Sequence, residues 1–276
     1  HQRVVLVNDD FDINLQDALN VLDYIKKSIS DKKETKLSDW KDFELYIRCN
    51  EEECAPLLDT ALSYFAEDSQ IQASDPSAFI KVYFIDEAKR SADYLFARHP
   101  LFYPLTTLPQ KMLKEDTKSA KLHVVILSDN PNQHYAKWLI KEAFWLLPCL
   151  REGIATKISL ISPQASEICD SILSDCPGLA CFSYDSIHQK VSMASRESEK
   201  IKIADIPSHE IHYKDTSFSD RTILNTLWDT YASNDYLYFI VDSASDIESI
   251  RLATRVRELS IRKSVMEGHI NSYSKR

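Results

Sequence analysis

Short apolar runs alternate with amphipathic stretches along the chain. Residues 4–7, Val-Val-Leu-Val, read as a buried strand, and from Ile13 to Ile25 the apolar positions recur at helical spacing. The alternation continues with a strand over 43–47, a helix over 55–65, a strand over 79–85 and a helix over 87–97. His99-Pro100 and Pro104 then break the pattern. Beyond residue 120 the rhythm restarts. Strands are predicted over 123–127, 157–161, 211–213 and 238–241. Helices are predicted over 135–147, from the end of the second of these strands to Leu173, over 221–231 and over 247–259, with a long irregular stretch from about 176 to 200. Short strands that are apolar on both faces, separated by helices, imply βαβ units on parallel sheets covered from both sides. The pattern therefore predicts an α/β fold.

The polar stretch 107–120 (TLPQKMLKEDTKSA) reads as a linker between a lobe over 1–106 and a lobe over 121–276. With 44% hydrophobic and 27% charged residues, the 276-residue chain can bury sizeable cores. No run approaches the ~18 apolar residues of a membrane span. A net charge of −9 without a basic block argues against nucleic-acid binding. Cys49, Cys149 and Cys169 sit in apolar patterns and no CxxC occurs, so buried, reduced thiols and a cytoplasmic setting are expected.

Composition changes the picture most through glycine. Only three occur, Gly153, Gly178 and Gly268, roughly 1% of the chain against a usual ~7%. That excludes an intact GxGxxG dinucleotide loop, a GxxxxGK[ST] phosphate loop and a GxSxG nucleophile elbow.

One internal repeat is visible. Leu6-Val7-Asn8-Asp9-Asp10 with Asn14-Leu15 to Val21 overlays Ile240-Val241-Asp242-Ser243-Ala244 with Ser249-Ile250 to Val256, allowing one gap. Each copy runs from a strand through an acidic loop into a helix with an Ala near its second turn. In the second lobe this unit is the fourth strand and its helix, whereas in the first lobe it comes first. The first lobe is therefore expected to be N-terminally truncated, as in a fragment of a longer tandem protein.

The second lobe resembles the Rossmann domains of regulator-of-potassium-conductance (RCK) type, also called potassium-uptake-regulator N-terminal domains. His123-Val-Val-Ile-Leu127 resembles the family's first strand and Lys157-Ile-Ser-Leu-Ile161-Ser162 its second. Tyr213-Lys214-Asp215-Thr216 followed by Leu224 resembles the segment after its third strand. Phe239-Ile-Val-Asp242 with Ala253 and Arg257 resembles its fourth strand and helix. In the first lobe, Val7-Asn8-Asp9-Asp10 with Asn14-Leu15 and Ala18 is similar to that same fourth unit. Leu45-Tyr-Ile-Arg48-Cys-Asn looks like the fifth strand, and Val82-Tyr-Phe-Ile85-Asp-Glu-Ala88 with Ala92 like the sixth. The resemblance covers about two-thirds of the chain. It implies two tandem Rossmann-like, doubly wound parallel sheets, a nucleotide-like ligand, assembly into homo-oligomers and a cytoplasmic, non-enzymatic regulatory role, with the parent protein attached to a membrane.

The departures fall on the ligand site. The family's Gly-x-Gly-x-x-Gly loop is here Ser128-Asp129-Asn130-Pro131-Asn132-Gln133. Side chains stand where glycines permit close backbone approach to a pyrophosphate, and Asp129 adds a negative charge. Ser162 replaces the ribose-binding acid, and Lys214 the glycine before Asp215. Ordinary NAD is thus disfavoured. A ligand of the second lobe is expected to touch Ser128, Asn130, Gln133, Ser162, Asp215 and Asp242. The rival readings are a ligand-free structural or interaction domain and, behind it, a nucleotide-dependent enzyme.

The remaining constellations carry less. His209-Glu210-Ile211-His212 has HExH rather than HExxH spacing, and on a strand its two histidines point to opposite faces, so they read as surface or edge residues. The acidic loops 8–12 and 242–246 follow parallel strands, where they could hold ligand or Mg²⁺ or Ca²⁺. Alternatively they supply helix caps, Asp12 for the first helix and Ser245 or Asp246 for the last. Trp138, Phe144, Trp145 and Leu147 fall at helical spacing and are expected in a core. No ordered set of nucleophile, base and orienting acid is present.

Overall fold

Polar residues at the strand ends start the helices of this protein. Asp10 Oδ1 accepts hydrogen bonds from the amides of Asp12 (3.0 Å) and Ile13 (3.4 Å). Asn50 Oδ1 accepts from Glu52 N, and Asp86 Oδ1 accepts from Lys89 N. Asn132 Oδ1 accepts from His134 N, and Ser245 Oγ from Glu248 N. Each side chain satisfies a first-turn amide that has no partner within its own helix. The structure, a computed structural model, describes residues 2–31, 40, 42–67, 79–101, 121–146, 155–175, 180–183, 190–191, 210–217 and 236–266.

Two compact units divide the chain, His1–Ser91 and Ala92–Arg276. The elements of the first are β1 (Arg3–Leu6), α1 (Phe11–Asp31), β2 (Phe43–Arg48), α2 (Glu51–Glu67) and β3 (Ile80–Ile85). The division falls inside α3 (Glu87–Arg98). The second unit continues with β4 (Lys121–Ser128), α4 (Gln133–Leu146), β5 (Ala155–Ser162), α5 (Ala165–Asp175), β6 (Ala180–Ser183), β7 (Lys190–Val191), β8 (Glu210–Asp215), β9 (Tyr236–Asp242) and α6 (Asp246–Met266). Among the described residues, no helix is long and apolar enough to cross a membrane.

The first sheet has the order β1-β2-β3 and is wholly parallel, with Val4 opposite Leu45 and Leu45 opposite Val82. Leu45, Ile47 and Ile80 are buried under Ala18, Leu22 and Ile25 of α1 and Leu58 of α2. The second sheet has the order β7-β6-β8-β5-β4-β9, parallel throughout except for the antiparallel β6–β7 pair. Its central strands β8-β5-β4-β9 take the sequence 3-2-1-4, the first half of a doubly wound Rossmann-like sheet. Successive residues of β4 point to opposite faces, yet Val124, Val125, Ile126 and Leu127 are all buried, so both faces are covered. Leu252 and Val256 of α6 pack on the face that carries Val125 and Leu127.

The α/β expectation is met, and several details differ from it. The stretch read as irregular contains β6 and β7, whose pairing is antiparallel and very short. Helix α2 begins at Glu51, capped by Asn50, and runs through Pro56. Asp10 rather than Asp12 caps α1, while α6 is capped by Ser245. Trp138 is buried as expected, but Trp145 is 66% exposed, because the buried stripe of α4 runs along Ala136, Ile140 and Ala143 instead. The linker over 107–120, the helix over 221–231, Leu147, Cys149 and His209 lie outside the described residues. So do all three glycines. Among the described residues the left-handed backbone conformation falls to Asp42 (φ 66°), a residue type that tolerates it.

The repeat is visible in hydrogen bonds. Asn8 N donates to Asn14 Oδ1 (2.8 Å), and Ser243 N donates to Ser249 Oγ (3.2 Å). Asn14 N donates to Asp10 O, and Ser249 N to Ser245 O. These bonds align the two copies without a gap, pairing Asn8 with Ser243, Asp10 with Ser245 and Asn14 with Ser249. Val7, not Asn8, is thereby the counterpart of Asp242.

Candidate functional site

In an open parallel sheet, ligands bind beyond the carboxyl ends of the strands where the strand order reverses, which in the second unit is between β4 and β9. Ser128 ends β4 opposite Asp242 at the end of β9. Ser128 Oγ donates to one Asp242 carboxylate oxygen (2.8 Å) and Asn130 Nδ2 donates to the other (2.9 Å). Asp129 N continues the ladder to Asp242 O (3.1 Å). Burial pushes the Asp242 carboxyl above its ordinary range. The bonds from Asn130 and Ser128 work against that rise, and the charge of Asp129 adds to it.

The rest of the loop is occupied in the same way. Asn132 N donates to Asn130 Oδ1 (3.0 Å) and His134 N to Asn132 Oδ1 (3.1 Å). These amides lie where a Rossmann loop and helix N-terminus would receive a diphosphate. Here each donates to the Asn two residues before it, so side-chain oxygens of the loop itself receive both.

The sequence-predicted ligand residues come together at the carboxyl ends of β4, β5, β8 and β9, but most are bonded to the protein itself. Ser162 Oγ accepts from Gln164 N (3.2 Å). Asp215 Oδ1 accepts from both the amide and the hydroxyl of Ser166 (2.8 and 3.0 Å), which ties β8 to the start of α5. Thr216 N donates to Ser162 O (2.9 Å). Gln133 Nε2 donates to Glu167 (2.7 Å), which bridges α4 and α5 away from Asp242. Among the described residues, no group of three or more His, Cys, Asp or Glu is placed to hold a metal ion.

The first unit carries a second polar cluster at the carboxyl ends of its strands. Asn14, 1% exposed, receives Asn8 N and donates to Asn8 O and Arg48 O (2.8 Å each). Arg48 bridges Asp9 and Glu87, and Lys89 pairs with Glu51. Buried Asp86 accepts from Glu51 N and Lys89 N, so one carboxylate serves the starts of both α2 and α3. Asn14 and Arg48 figured in the sequence only as parts of family-like strings. The signal that could have marked this cluster is the charge at each strand end, Arg48 closing β2 and Asp86-Glu87 after β3.

Compared with known proteins, the chain matches no family model, no curated protein and no solved structure.

Proposed function

We propose that this chain is a non-catalytic regulatory module of a larger protein, similar to RCK-type domains, whose second dinucleotide crevice is filled by its own side chains. The observation that carries this reading is the chain of bonds from Asp242 through Asn130 and Asn132 to His134 N. It consumes the donors that a diphosphate would use. Such a unit acts through protein contacts and oligomer assembly rather than turnover. No activated nucleophile or acid–base pair stands in the crevice among the described residues. The proposed setting is the cytoplasm, where thiols such as Cys49, Cys54 and Cys169, all buried, stay reduced.

A ligand-sensing role for the same crevice is favoured by Asp242. It is a half-buried carboxylate at the strand-order reversal, and its Asn130 partner sits on a loop that a donor-rich ligand could displace. A thermal-shift screen with NAD(H), ATP, ADP and cyclic and oligonucleotide messengers separates the two. The filled crevice gives no shift with any of them. A saturable shift that Asp242→Ala removes overturns it in favour of the sensor, and steady turnover of any nucleotide overturns both.

A further inference from the structure

Helix α2 starts on two thiols. Asn50 caps it: Asn50 O accepts the first helical bond, from Cys54 N (3.0 Å), and Asn50 Oδ1 accepts from Glu52 N (3.2 Å). Asn50 Nδ2 closes the turn on Glu53 (2.7 Å). Cys49 thus stands one residue before the cap and Cys54 four residues after it. Side chains at those two places meet across a helix start, where an apolar pair fixes the entry of the chain. The same places hold Asp9 and Asn14 at α1, and Ala244 and Ser249 at α6. Among the capped helices described above, α2 alone carries sulfur at both.

The two side chains are in contact. Both are buried in the core that α1 and α2 form with the first sheet. Their thiols are hydrogen-bonded to one another, and Cys49 N donates to Ile85 O (3.3 Å), which fixes the Cys49 backbone against β3. The bond between the thiols favours the proton on Cys49 and the charge on Cys54, so Cys54 is the sulfur that reacts first.

We propose that Cys49 and Cys54 form a reversible dithiol–disulfide pair, closed across the start of α2 by a low-molecular-weight disulfide of the glutathione class. Cys54, as thiolate, attacks the disulfide RSSR. A Cys54–SR bond forms, and RS⁻ leaves and takes up a proton. Cys49 then gives its proton to solvent and attacks the sulfur of Cys54. The Cys49–Cys54 bond forms and the second RS⁻ leaves. The two cysteines lose two electrons and two protons, and RSSR becomes two RSH. Both thiols are shielded, so exchange runs through an opening of the core and is slow. The fold acts on the equilibrium instead: in the native packing the second thiol already touches the first, which favours closure over reduction by free RSH. The closed pair ties the end of β2 to the first turn of α2, beside Arg48 and Glu51 of the polar cluster. It stands apart from the crevice of the second unit.

The full chain is brought to equilibrium with mixtures of reduced and oxidised glutathione at pH 8, both folded and in guanidinium chloride, then acid-quenched and peptide-mapped by mass. The expected result is a Cys49–Cys54 disulfide that forms at least about tenfold more readily in the folded than in the unfolded chain. The measure is the glutathione concentration squared over that of its disulfide at half-closure. Closure slows amide exchange at Glu51 and Cys54, whose N–H groups donate to Asp86 and Asn50. Cys169, equally buried in the second unit, stays a thiol in the same mixture. Closure as ready in the unfolded chain, glutathione adducts on Cys49 and Cys54 in place of their mutual bond, or oxidation of Cys169 in the same mixture overturns the proposal.

Discussion

At the scale of single residues, Asp242 is the crevice carboxylate whose environment alters its ionisation. Its carboxyl is raised from an ordinary value of 3.8, first by burial and then by the neighbouring charge of Asp129, against the bonds from Asn130 and Ser128. The direction fixes a pH dependence. Below 3.8 the group is protonated in both folded and unfolded chains and contributes nothing. As pH rises from there to the raised value, the unfolded chain ionises first, so stability falls, and above that window the loss is constant. Asp242→Asn removes this loss while its one remaining oxygen accepts from Asn130 Nδ2 and its new NH2 donates to Ser128 Oγ, reversing that bond. Denaturant unfolding of the two proteins between pH 3.5 and 7 should therefore show the variant gaining on the wild type through the window and then holding its advantage. Parallel curves would mean that the carboxylate is better solvated than its surroundings indicate.

At the scale of elements, the two copies of the strand–loop–helix unit differ in how firmly the loop is tied. Asn14 closes the first with three buried bonds, whereas Ser249 closes the second with one to Ser243 N. Both helices depend on a cap immediately before the first helical residue, Asp10 in α1 and Ser245 in α6. Asp10→Ala should cost about 1 kcal/mol in chemical denaturation, and Asp12→Ala only a few tenths from the lost first-turn charge. Equal costs would refute the assignment of the cap. That choice shows what the sequence conveys and what it does not. The periodicities of 4–7 and 13–25 place β1 and α1, because packing selects apolar residues at strand and helix spacing. Within Asn8-Asp9-Asp10-Phe11-Asp12, however, several side chains can cap, and only the direction in which the chain leaves β1 selects Asp10. Strand β7 escaped notice because it is two residues long and exists only through its pairing with β6. The candidate ligand residues were legible as a group, since strand ends of a parallel sheet gather at one edge. Their bonding to one another was not, because Asn130 and Asp242 meet across 112 positions of sequence.

At the scale of the whole molecule, each unit has its own buried thiols, and these distinguish the two cores chemically. Cys49 and Cys54 lie in the core of the first unit at 1% and 4% exposure, and Cys169 in the second at 1%. Burial raises both Cys49 and Cys54 above the ordinary thiol range. The neighbouring Cys54 raises Cys49 further, while the contact with Cys49 partly offsets the rise at Cys54. Because the thiolate is the reacting species, both exclusion from solvent and a raised pKa slow alkylation or disulfide exchange. Reaction at these positions must pass through an opening of the surrounding core, and its rate reports the stability of that core alone. Six cysteines are present in the chain. With a chromogenic disulfide reagent at pH 8, all six should react at once in guanidinium chloride, while Cys49, Cys54 and Cys169 should remain unreacted in the native protein. Peptide mapping of a slow native labelling reaction should then show Cys49 and Cys54 modified together, since one core shields both, and Cys169 at a rate set by the second unit. Rapid native labelling of Cys49 would contradict the packing of β2 beneath α1 and α2.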